Sequence, residues 1–439
     1  MKIDLSKIKA VYNSLPKELK YPLFLIPFSI FCGKVYREQY RELEKQLELS
    51  HLDVEAIRNA RLIEYLNSSI QHTKFYSDVA KKLKITKVVD VEQLFEFPIL
   101  SKEEIQADLE LFLDIRYKNR SYPVTTGGTT GSQTKLFLSN NCYASEWAFV
   151  NHYLSKNGVN VNSKRLCLRG VGGIQSSELL GSNPLYKELL LSPFRMNEES
   201  ILKNINSIQK FNPEWIHGYP SSVREFATIL DNLNIELKRI KHILLVSEKA
   251  YPDQIEVIQN AFNANILSFY GMTERVIFAP LEGNKYIPNQ LYGVTEELNG
   301  ELVGTGFINS ATRLIRYKTG DMAEVTKKGN FVVEINELTG RWGKEYLVGH
   351  SGVKITMTAL NTHCDALNRV KKYQFYQKII GFCELLLVVD SSFTSEDKDT
   401  IGALFQNKVG GELSISCKIV SKIPLSKRGK HQFIISEVM

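Results

Sequence analysis

Five short segments of this 439-residue chain combine glycine, hydroxyl and charged side chains in patterns that suit an anionic ligand. The first segment, from Thr125 to Lys135, reads T-T-G-G-T-T-G-S-Q-T-K. Its glycines let the backbone approach a ligand, and its hydroxyls and its lysine can donate hydrogen bonds to phosphate oxygens. The segment lacks the G-x-x-x-x-G-K-S/T spacing of a P-loop, and by itself it is equally typical of a flexible turn.

The other four segments offer groups that a nucleotide site requires. One places an aromatic ring, a glycine and the carboxylate of Glu274 at a predicted strand end, and another presents Asp321 on a glycine turn. Taken singly, such patterns are ordinary strand ends, turns and solvated basic tails. The four segments read S-F-Y-G-M-T-E (268–274), Y-K-T-G-D (317–321), G-R-W-G-K (340–344, before G-H-S-G at 349–352) and P-L-S-K-R-G-K (424–430).

Alternating strands and helices between residues 165 and 270 predict the frame that positions these groups. Such alternation is typical of a largely parallel sheet, in which ligands bind beyond the carboxyl ends of the strands. Those ends carry Gly218–Ser221, Ser247–Glu248 and Tyr270–Glu274, so glycine, hydroxyl, aromatic and carboxylate groups are expected to meet. The predicted strands are Arg165–Leu168, Trp215–His217, His242–Val246 and Ile266–Phe269, and the predicted helices are Asn197–Phe211, Ser222–Leu233 and Pro252–Phe262.

Further elements flank this frame. A capping box at Ser101 predicts a helix that continues through 106–113, and residues 285–338 predict a small β-subdomain. A second α/β pattern runs from 344 to 439, with a strand at 384–389 and a helix near 395–409. We therefore expect two domains, residues 1–340 and residues 341–439.

The composition excludes several classes of protein. Apolar residues make up 43% and charged residues 23%, which is typical of a globular chain and excludes collagen, disordered tails and disulfide scaffolds. The net charge of +7 suits an anionic ligand or a membrane surface but is no signature of nucleic-acid binding. The six cysteines form no C-x-x-C pair and the histidines show no metal-binding spacing. We expect reduced thiols and a cytoplasmic location, without a structural metal.

An uncharged run, Tyr21–Gly33, reads Y-P-L-F-L-I-P-F-S-I-F-C-G. A membrane-spanning helix needs about 20 residues, so this run is too short, and its two prolines also disfavour one long helix. A buried or interface segment is the main interpretation. Peripheral contact with a membrane is the alternative, because four basic residues flank the run: Lys17, Lys20, Lys34 and Arg37.

In order and spacing, the motifs resemble those of the adenylate-forming superfamily, which includes acyl-CoA synthetases and adenylation domains of peptide synthetases. The matching motifs are T-G-G-T-T-G (126–131), Y-G-M-T-E (270–274), G-E-L-V-G-T-G (300–306), Y-K-T-G-D (317–321), G-R (340–341) and G-K (429–430). H-T-K-F-Y (72–76), F-P-I-L-S-K (97–102) and W-I-H-G-Y-P-S (215–221) are similar to phenylacetate–CoA ligase-like proteins. The G-R-W-G hinge and the apolar segment resemble the CapK-like branch, named for capsule biosynthesis. The implied fold is α/β, with a large N-terminal domain of mostly parallel sheets and a small mobile C-terminal α/β domain.

The resemblance implies that ATP and Mg²⁺ activate a carboxylic acid as an acyl-adenylate. Tyr270 and Gly271 would contact adenine, with Ser247 and Glu248 along its edge. Asp321 would accept hydrogen bonds from the ribose. The phosphate-binding residues would be Thr126, Gly127, Gly128, Thr129, Thr130, Gly131 and Lys135.

The residues implied to be catalytic are Glu274, Arg341 and Lys430. Glu274 would hold Mg²⁺ beside Thr273, and Arg341 would assist at the ribose. Lys430 would reach the carboxylate and the α-phosphate from the C-terminal domain, which would rotate about a hinge at Gly343.

Several positions depart from the family pattern. Gly127 replaces a serine, and Lys135 lies one residue late because Gln133 and Thr134 stand where proline and lysine are usual. Gly343 replaces a charged hinge residue, and glycine is permissive there. A cysteine and histidine cluster that holds a metal in some relatives has no counterpart in this sequence.

Three functions remain open on the sequence. The first is an AMP-forming ligase whose acyl acceptor is CoA or an amine on a sugar or amino acid. The resemblance to the CapK-like branch implies a role in surface-polysaccharide biosynthesis. The second is a non-catalytic binding module, and four retained residues argue against it: Glu274, Asp321, Arg341 and Lys430. The third is a glycosyltransferase-like enzyme, which would leave the Y-G-M-T-E match unexplained and lacks a D-x-D motif beside the nucleotide strands. Phe269, Tyr219 and Trp147 are either pocket or core residues, and core is favoured.

Overall fold

The computed structural model has the mixed α/β architecture that the sequence predicts. It describes residue 12 and residues 20–125, 135–169, 178–193, 195–341, 346–352, 354–356, 360, 364–409, 411–425 and 431–438. All structural statements below concern these residues.

The helices lie before, between and after the strands. The α-helices are α1 (Phe28–Phe31), α2 (Gly33–Gln46), α3 (His51–His72), α4 (Lys74–Leu83), α5 (Lys102–Ala107), α6 (Cys142–Lys156), α7 (Glu198–Phe211), α8 (Pro220–Asn232), α9 (Pro252–Phe262) and α10 (Ser395–Lys408). Short 3₁₀ helices span Tyr21–Leu25, Val91–Glu96, Leu109–Phe112, Ile115–Tyr117, Pro184–Tyr186 and Asp365–Arg369.

The strands group into one large sheet and three smaller ones among the described residues. In the first half of the chain they are β1 (Ser121–Thr125), β2 (Lys135–Ser139), β3 (Arg165–Leu168), β4 (Leu180–Asn183), β5 (Glu188–Leu191), β6 (Trp215–Gly218), β7 (His242–Leu245), β8 (Asn265–Gly271), β9 (Phe278–Glu282) and β10 (Lys285–Tyr286). The later strands are β11 (Gly293–Leu298), β12 (Glu301–Gly306), β13 (Tyr317–Lys328), β14 (Phe331–Arg341), β15 (Tyr346–Val348), β16 (Lys354–Thr356), β17 (Val370–Ile379), β18 (Phe382–Val389), β19 (Ser414–Ile419) and β20 (Ile434–Ser436).

The large sheet has a parallel centre and antiparallel ends. Its twelve described strands run in the order β11-β12-β13-β14-β10-β9-β8-β7-β6-β3-β5-β4. Strands β8, β7, β6, β3 and β5 pair in parallel, as the alternating pattern predicts. The residues predicted as a β-subdomain form strands β10 to β14 of this same sheet, joined to the parallel part through β9.

The two faces of the parallel strands have separate cores because side chains alternate along a strand. On one face, Ile216, Ile243 and Leu245 pack against helices α7, α8 and α9. On the other face, Trp215 and Leu244 pack in the cluster that contains residues of α6. The first of these cores buries the apolar faces of helices α7, α8 and α9. This burial explains the helical period of apolar residues in their sequences.

The turn between β8 and β9 is held against the β11–β12 hairpin by close backbone packing. A Cβ atom on Gly306 would lie 2.0 Å from the carbonyl oxygen of Arg275, and one on Gly304 would lie 2.8 Å from Ile277 Cγ1. Glycine is therefore the residue that lets the hairpin approach. This contact gives the G-E-L-V-G-T-G motif a structural role, because the packed turn also carries Glu274.

The C-terminal strands form a separate unit with its own core. Strands β17 and β18 pair antiparallel, while β19 and β20 add in parallel at the two edges. Helix α10 covers this sheet through Ile401 and Phe405, which pack with Phe375 and other core residues between 347 and 434. The domain boundary at residue 340 stays a prediction.

The apolar run at Tyr21–Gly33 is only partly buried. It forms two short helical turns, and Phe28 inserts its ring among those of Tyr36, Trp147 and Tyr186, at centroid distances of 5.5 to 5.9 Å. Leu25 keeps 81% of its surface exposed and Ile30 keeps 62%. No helix in the described part of the chain combines the length and the apolar character needed to cross a bilayer.

One predicted helix is shorter than expected. Ser101 caps α5 through the predicted capping box, in which Ser101 Oγ accepts from the Glu104 N–H at 3.3 Å and Glu104 Oε2 accepts from the Ser101 N–H at 2.7 Å. The helix ends at Ala107, because Asp108 leaves the helical conformation and its carboxylate caps a new 3₁₀ turn at Leu109–Phe112. The apolar residues of 109–113 still contact the core, but they do so from this turn. The prediction that they are buried is therefore right, and the prediction that they continue the helix is wrong.

Replacing Gly306 with alanine tests the packing of the turn. The added methyl would overlap a backbone carbonyl that cannot rotate away, so we expect Gly306→Ala to lower the free energy of unfolding by about 2 kcal/mol or more. Gly402→Ala is the control, since this glycine lies inside helix α10 and its Cβ would meet only Cys417 Sγ, at 3.3 Å. Urea unfolding followed by circular dichroism measures both variants. Equal stability of Gly306→Ala and the wild type would show that the turn is not tightly packed.

Candidate active site

The carboxyl ends of β6, β7 and β8 lie side by side and carry three of the predicted site segments. The parallel registers pair Gly218 with Leu245 and Leu245 with Ser268, so the residues that follow each strand emerge at one edge of the sheet. Ser247 follows β7 with a positive φ of 68°, which turns the chain sharply before Glu248. The sheet thus brings together segments that are about 50 residues apart in sequence.

Two tyrosine–carboxylate hydrogen bonds join β8 to β13 at this edge. Tyr270 donates its hydroxyl hydrogen to Asp321 Oδ2 at 2.7 Å. Tyr317 donates to Glu274 Oε1 at 3.2 Å, and the residue Glu274 is only 8% exposed. Asp321 is further held by its N–H, which donates to Thr319 Oγ1 at 3.0 Å. Each carboxylate is therefore held by the tyrosine of the other motif.

A buried ion pair fixes the backbone next to Glu274. Arg275 adopts a positive φ of 61°, which is strained for a residue with a side chain. Its guanidinium donates to Glu146 on α6, and Tyr292 donates to the other oxygen of that carboxylate at 2.6 Å. The negative Glu146 raises the pKa of Arg275 further above its ordinary value despite the opposing effect of burial. The salt bridge thus offsets the strain and orients the turn.

Glu248 connects the large sheet to the C-terminal segment. Its Oε2 accepts from the N–H and the hydroxyl of Ser221, at 3.2 and 2.8 Å, and its Oε1 accepts from the N–H of His431 at 3.2 Å. The predicted role of Glu248 at the adenine edge stays a prediction. In the structure its carboxylate holds the residue immediately after Lys430.

Other contacts support the same docking of the C-terminal unit. Lys372 Nζ lies 2.7 Å from Glu225 Oε2, and both side chains are about three-quarters buried. The rings of Tyr251 and Phe433 meet edge to face with centroids 5.1 Å apart. An ion pair and an aromatic contact therefore flank the Glu248–His431 hydrogen bond.

His431 is held in its neutral form by this interface. Burial, together with the nearby charges of Lys372 and Arg224, lowers the pKa of His431 to about 4. Its Nε2 lies 3.0 Å from the carbonyl oxygen of Tyr373, which assigns the ring proton to Nε2. Its Nδ1 is buried without a hydrogen-bond partner among the described residues. A proton on Nδ1 would place an unpaired charge between two cations.

Several predicted site residues lie outside the described residues. They are Thr126, Gly127, Gly128, Thr129, Thr130, Gly131, Gly343 and Lys430. Arg341 pairs with Asp321 in the β13–β14 register, and its side chain is not described. Lys135 begins β2, where its side chain is exposed and its ammonium lies 5.4 Å from the centre of the Phe137 ring. Thr273 lies in the turn beside Glu274.

Two residues organise this site although the sequence predicts no role for them. Tyr317 lies within the Y-K-T-G-D motif and is the hydroxyl donor to Glu274. Glu146 lies outside the motifs and binds Arg275. Ser221, one of the expected hydroxyl groups, binds Glu248. One feature of the sequence points to Glu146: it is an acidic residue in a helix that is otherwise mostly apolar. A buried charge of this kind requires a partner.

The chain is similar in sequence to a curated protein over its full length. It is 26% identical to Protein CapK from Staphylococcus aureus, over 98% of this chain and 99% of that protein. Residues 347–437 match the family described as the CapK C-terminal domain.

Solved structures show that the chain has the fold of adenylate-forming ligases. A 2-hydroxyisobutyryl-CoA ligase in its postadenylation state gives a TM-score of 0.65 at 12% identity, covering 88% of this chain and 89% of that one. The acyl acid amido synthetase GH3.15 gives 0.55 at 14% identity, covering 84% and 86%. The predicted fold class is therefore confirmed. One of these proteins is named for CoA and the other for an amide product.

A second structure of the same ligase, in its thioesterification state, gives a TM-score of 0.53 at 15% identity, covering 88% of this chain and 90% of that one.

Acidification is expected to weaken the docked C-terminal unit through His431. Its folded pKa lies below the value of about 6.5 in an unfolded chain, so its contribution to stability is complete above pH 6.5 and is lost as the pH falls toward 4. Between pH 7.5 and pH 5.0 the wild type should lose about 2 kcal/mol more than His431→Gln, which cannot take up the proton. Urea unfolding at both pH values measures the difference.

A matched control is His51→Gln, which changes an exposed histidine at the start of α3. This variant should lose the same stability on acidification as the wild type. If His431→Gln also loses as much as the wild type, His431 is not buried as a neutral ring.

Proposed function

We propose that this protein is an AMP-forming ligase that uses ATP to activate a carboxylic acid as an acyl-adenylate. The observation that carries the proposal is the pair of positioned carboxylates at the sheet edge, where Tyr270 holds Asp321 and Tyr317 holds Glu274. The likeness in fold to a ligase crystallised with an acyl-adenylate supports it. A non-catalytic module would not need two buried or half-buried carboxylates held so closely.

In this reaction the carboxylate of the substrate attacks the α-phosphorus of ATP and pyrophosphate leaves. We assign binding of the ribose hydroxyls to Asp321, because a carboxylate already oriented by Tyr270 can accept from both. Residues Thr126–Gly131 and Lys135 would contact the departing phosphates. Lys430 would place its ammonium against the negative charge that develops on the α-phosphate. The contact between His431 and Glu248 supports a position of Lys430 close to this edge.

The donor chemistry of Glu274 fits a bound Mg²⁺. Its carboxylate supplies the hard oxygen that this ion prefers, and Mg²⁺ commonly binds through one or two carboxylates and the phosphates of its substrate. The ion would neutralise phosphate charge. Glu274 would hold it at a fixed place, since Tyr317 occupies one carboxylate oxygen and the Arg275 backbone is fixed by Glu146.

The acyl acceptor divides the proposal into two candidates. The likeness in fold to the CoA ligase supports CoA as the acceptor in this protein. The likeness in fold to the amido synthetase supports an amine. Sequence similarity to Protein CapK favours a role in surface-polysaccharide biosynthesis, in which an amino sugar is a natural acceptor. Release of AMP from a preformed acyl-adenylate, measured with CoA or with an amine as the acceptor, distinguishes the two.

Lys430 should serve only the first half-reaction. Because its ammonium opposes charge at the α-phosphate, Lys430→Ala should lower the rate of acid-dependent ATP–pyrophosphate exchange by about 10²–10³-fold. Supplied with preformed acyl-adenylate, the variant should still transfer the acyl group at a rate within about threefold of the wild type, as expected if the C-terminal unit turns away for the second step.

The control for this variant is Lys422→Ala, which removes an exposed lysine from the same C-terminal segment and should leave both half-reactions unchanged. If exchange and transfer fall together in folded Lys430→Ala, the proposed rotation is wrong. If neither falls, Lys430 is a surface residue.

We also propose that the N-terminal segment attaches the protein to an anionic membrane surface. Phe28 fixes the segment to the protein, while Tyr21, Leu25 and Ile30 remain exposed within ten residues of one another. Basic residues flank this apolar surface at positions 20, 34 and 37. An apolar surface bordered by cations matches the headgroup region of anionic lipids, where apolar side chains insert and cations meet phosphates.

Co-sedimentation with lipid vesicles tests this attachment. The wild type should bind vesicles that contain phosphatidylglycerol several-fold more strongly than vesicles of phosphatidylcholine alone. Leu25→Glu combined with Ile30→Glu should abolish the binding, because each carboxylate opposes insertion and repels the lipid charge. Leu202→Glu, at an exposed leucine of α7, is the matched control and should bind normally. Equal binding by the double variant would exclude this segment as the membrane contact.

A further inference from the structure

The sheet face under helix α6 changes from apolar to charged along the strand order. On β7 and β8 this face carries Leu244, Val246, Leu267 and Phe269, which pack in one apolar cluster with α6. On β3 it carries arginine, because Leu166 and Leu168 join the core on the opposite face and residues 165, 167 and 169 alternate with them. A charged region therefore lies beside the site edge, beneath the same helix.

Arg165 has a complete set of partners. Its Nε and Nη2 lie 2.9 and 2.7 Å from Glu188 Oε1 on β5, and Asn183 donates to the other oxygen of Glu188 at 3.0 Å. The guanidinium also lies over the rings of Trp147 and Trp215, at 5.3 and 5.0 Å. The charges of Arg165 and Glu188 balance each other, so this ion pair has a structural role and needs no ligand.

Arg169 follows the carboxyl end of β3 and makes no ion pair with a carboxylate among the described residues. Its side chain contacts the Cys167 thiol, and its Nε is buried without a hydrogen-bond partner in the described chain. Because Arg165 already balances the charge of Glu188, the described residues here keep one excess positive charge. Arg169 is only partly exposed, and a guanidinium that loses water is costly unless an anion meets it.

His217 lies next to Arg169 on the neighbouring strand, at the position before Gly218. It is 3% exposed, its ring stacks on Trp215 at a centroid distance of 6.1 Å, and its Nδ1 has no hydrogen-bond partner in the described chain. Burial, followed by the charges of Arg169 and Arg165, lowers the pKa of His217 well below its ordinary value. A neutral imidazole at this place offers hydrogen bonding without adding charge.

The position of these two groups suits the far end of the substrate acid. Strand β6 lies two strands and β3 three strands from β8, which at about 4.8 Å per strand gives about 10 and 14 Å. Both groups sit near the carboxyl ends of their strands, the edge that carries Tyr270 and Glu274. An acid activated at that edge needs a chain of several carbons to span this distance along the strand ends toward β3.

We propose that Arg169 and His217 bind a second carboxylate of the substrate, so that the activated acid is a dicarboxylic acid. The inference rests on the proposed adenylation at this edge. A guanidinium matches a carboxylate with two parallel hydrogen bonds, and the imidazole can supply a third. Sites built around buried polar groups reject analogues that leave those groups unpaired, so a neutral terminus in the same place would be disfavoured.

Binding of acids in the absence of ATP tests this recognition apart from catalysis. The fluorescence of Trp147 and Trp215, which line this face, reports titration with glutaric, adipic and suberic acids and with their monomethyl esters. We expect at least one diacid to bind at least about tenfold more tightly than its own ester. Arg169→Gln should abolish that preference, and Arg169→Lys should retain part of it. Arg239→Gln, at an exposed arginine paired with Glu214, should bind like the wild type.

Three results would overturn the inference: equal or tighter binding of the ester in every pair, no binding of any diacid, or an unchanged preference in folded Arg169→Gln. ATP–pyrophosphate exchange with the same acids separates this inference from the proposed function. Exchange supported by monoacids alone would support the ligase activity and contradict the binding of a second carboxylate. Preferential binding of a diacid without any exchange would support Arg169 as an anion site and contradict the ligase.

Discussion

The buried salt bridge between Arg275 and Glu146 is the interaction on which the arrangement of the candidate site depends. It holds a strained backbone residue directly after Glu274, and it connects that turn to a helix that also covers the parallel strands. Gly306 completes the constraint from the other side, since a side chain there would push the turn away. Removing one partner of such a buried pair typically lowers the free energy of unfolding by about 3–5 kcal/mol. The fold therefore opposes any movement of the turn that carries the Glu274 carboxylate.

The C-terminal unit is docked by a different kind of interaction. The described contacts that join it to the large domain include a carboxylate, an ion pair and an aromatic contact, and burial lowers the pKa of the central His431. Contacts of this kind can break without exposing a large apolar core, unlike the packing within either unit. Departure of the C-terminal unit from this edge stays a prediction.

The sequence predicted the frame well because periodicity and strand-end chemistry are local. Strand β3 and helix α9 were predicted at the residue bounds that the structure has, and the fold class followed from the resemblance. The break at Asp108 was missed because a side-chain cap competed with a helical apolar period. The bonds from Tyr317 to Glu274 and from Arg275 to Glu146 join residues 43 and 129 positions apart, and no single-sequence pattern encodes such pairs. The roles of Arg341, Gly343 and Lys430 remain predictions.

The most direct test of the account is acid-dependent ATP–pyrophosphate exchange by the wild type and by Glu274→Gln. The account predicts exchange that requires an added carboxylic acid, and a rate at least about 10²-fold lower in the glutamine variant, which keeps the hydrogen bond to Tyr317 but loses the charge that binds Mg²⁺. Circular dichroism should show that the variant is folded. Exchange at the wild-type rate in Glu274→Gln, or no exchange by the wild type with any acid, would contradict the proposal that this edge of the sheet forms acyl-adenylates.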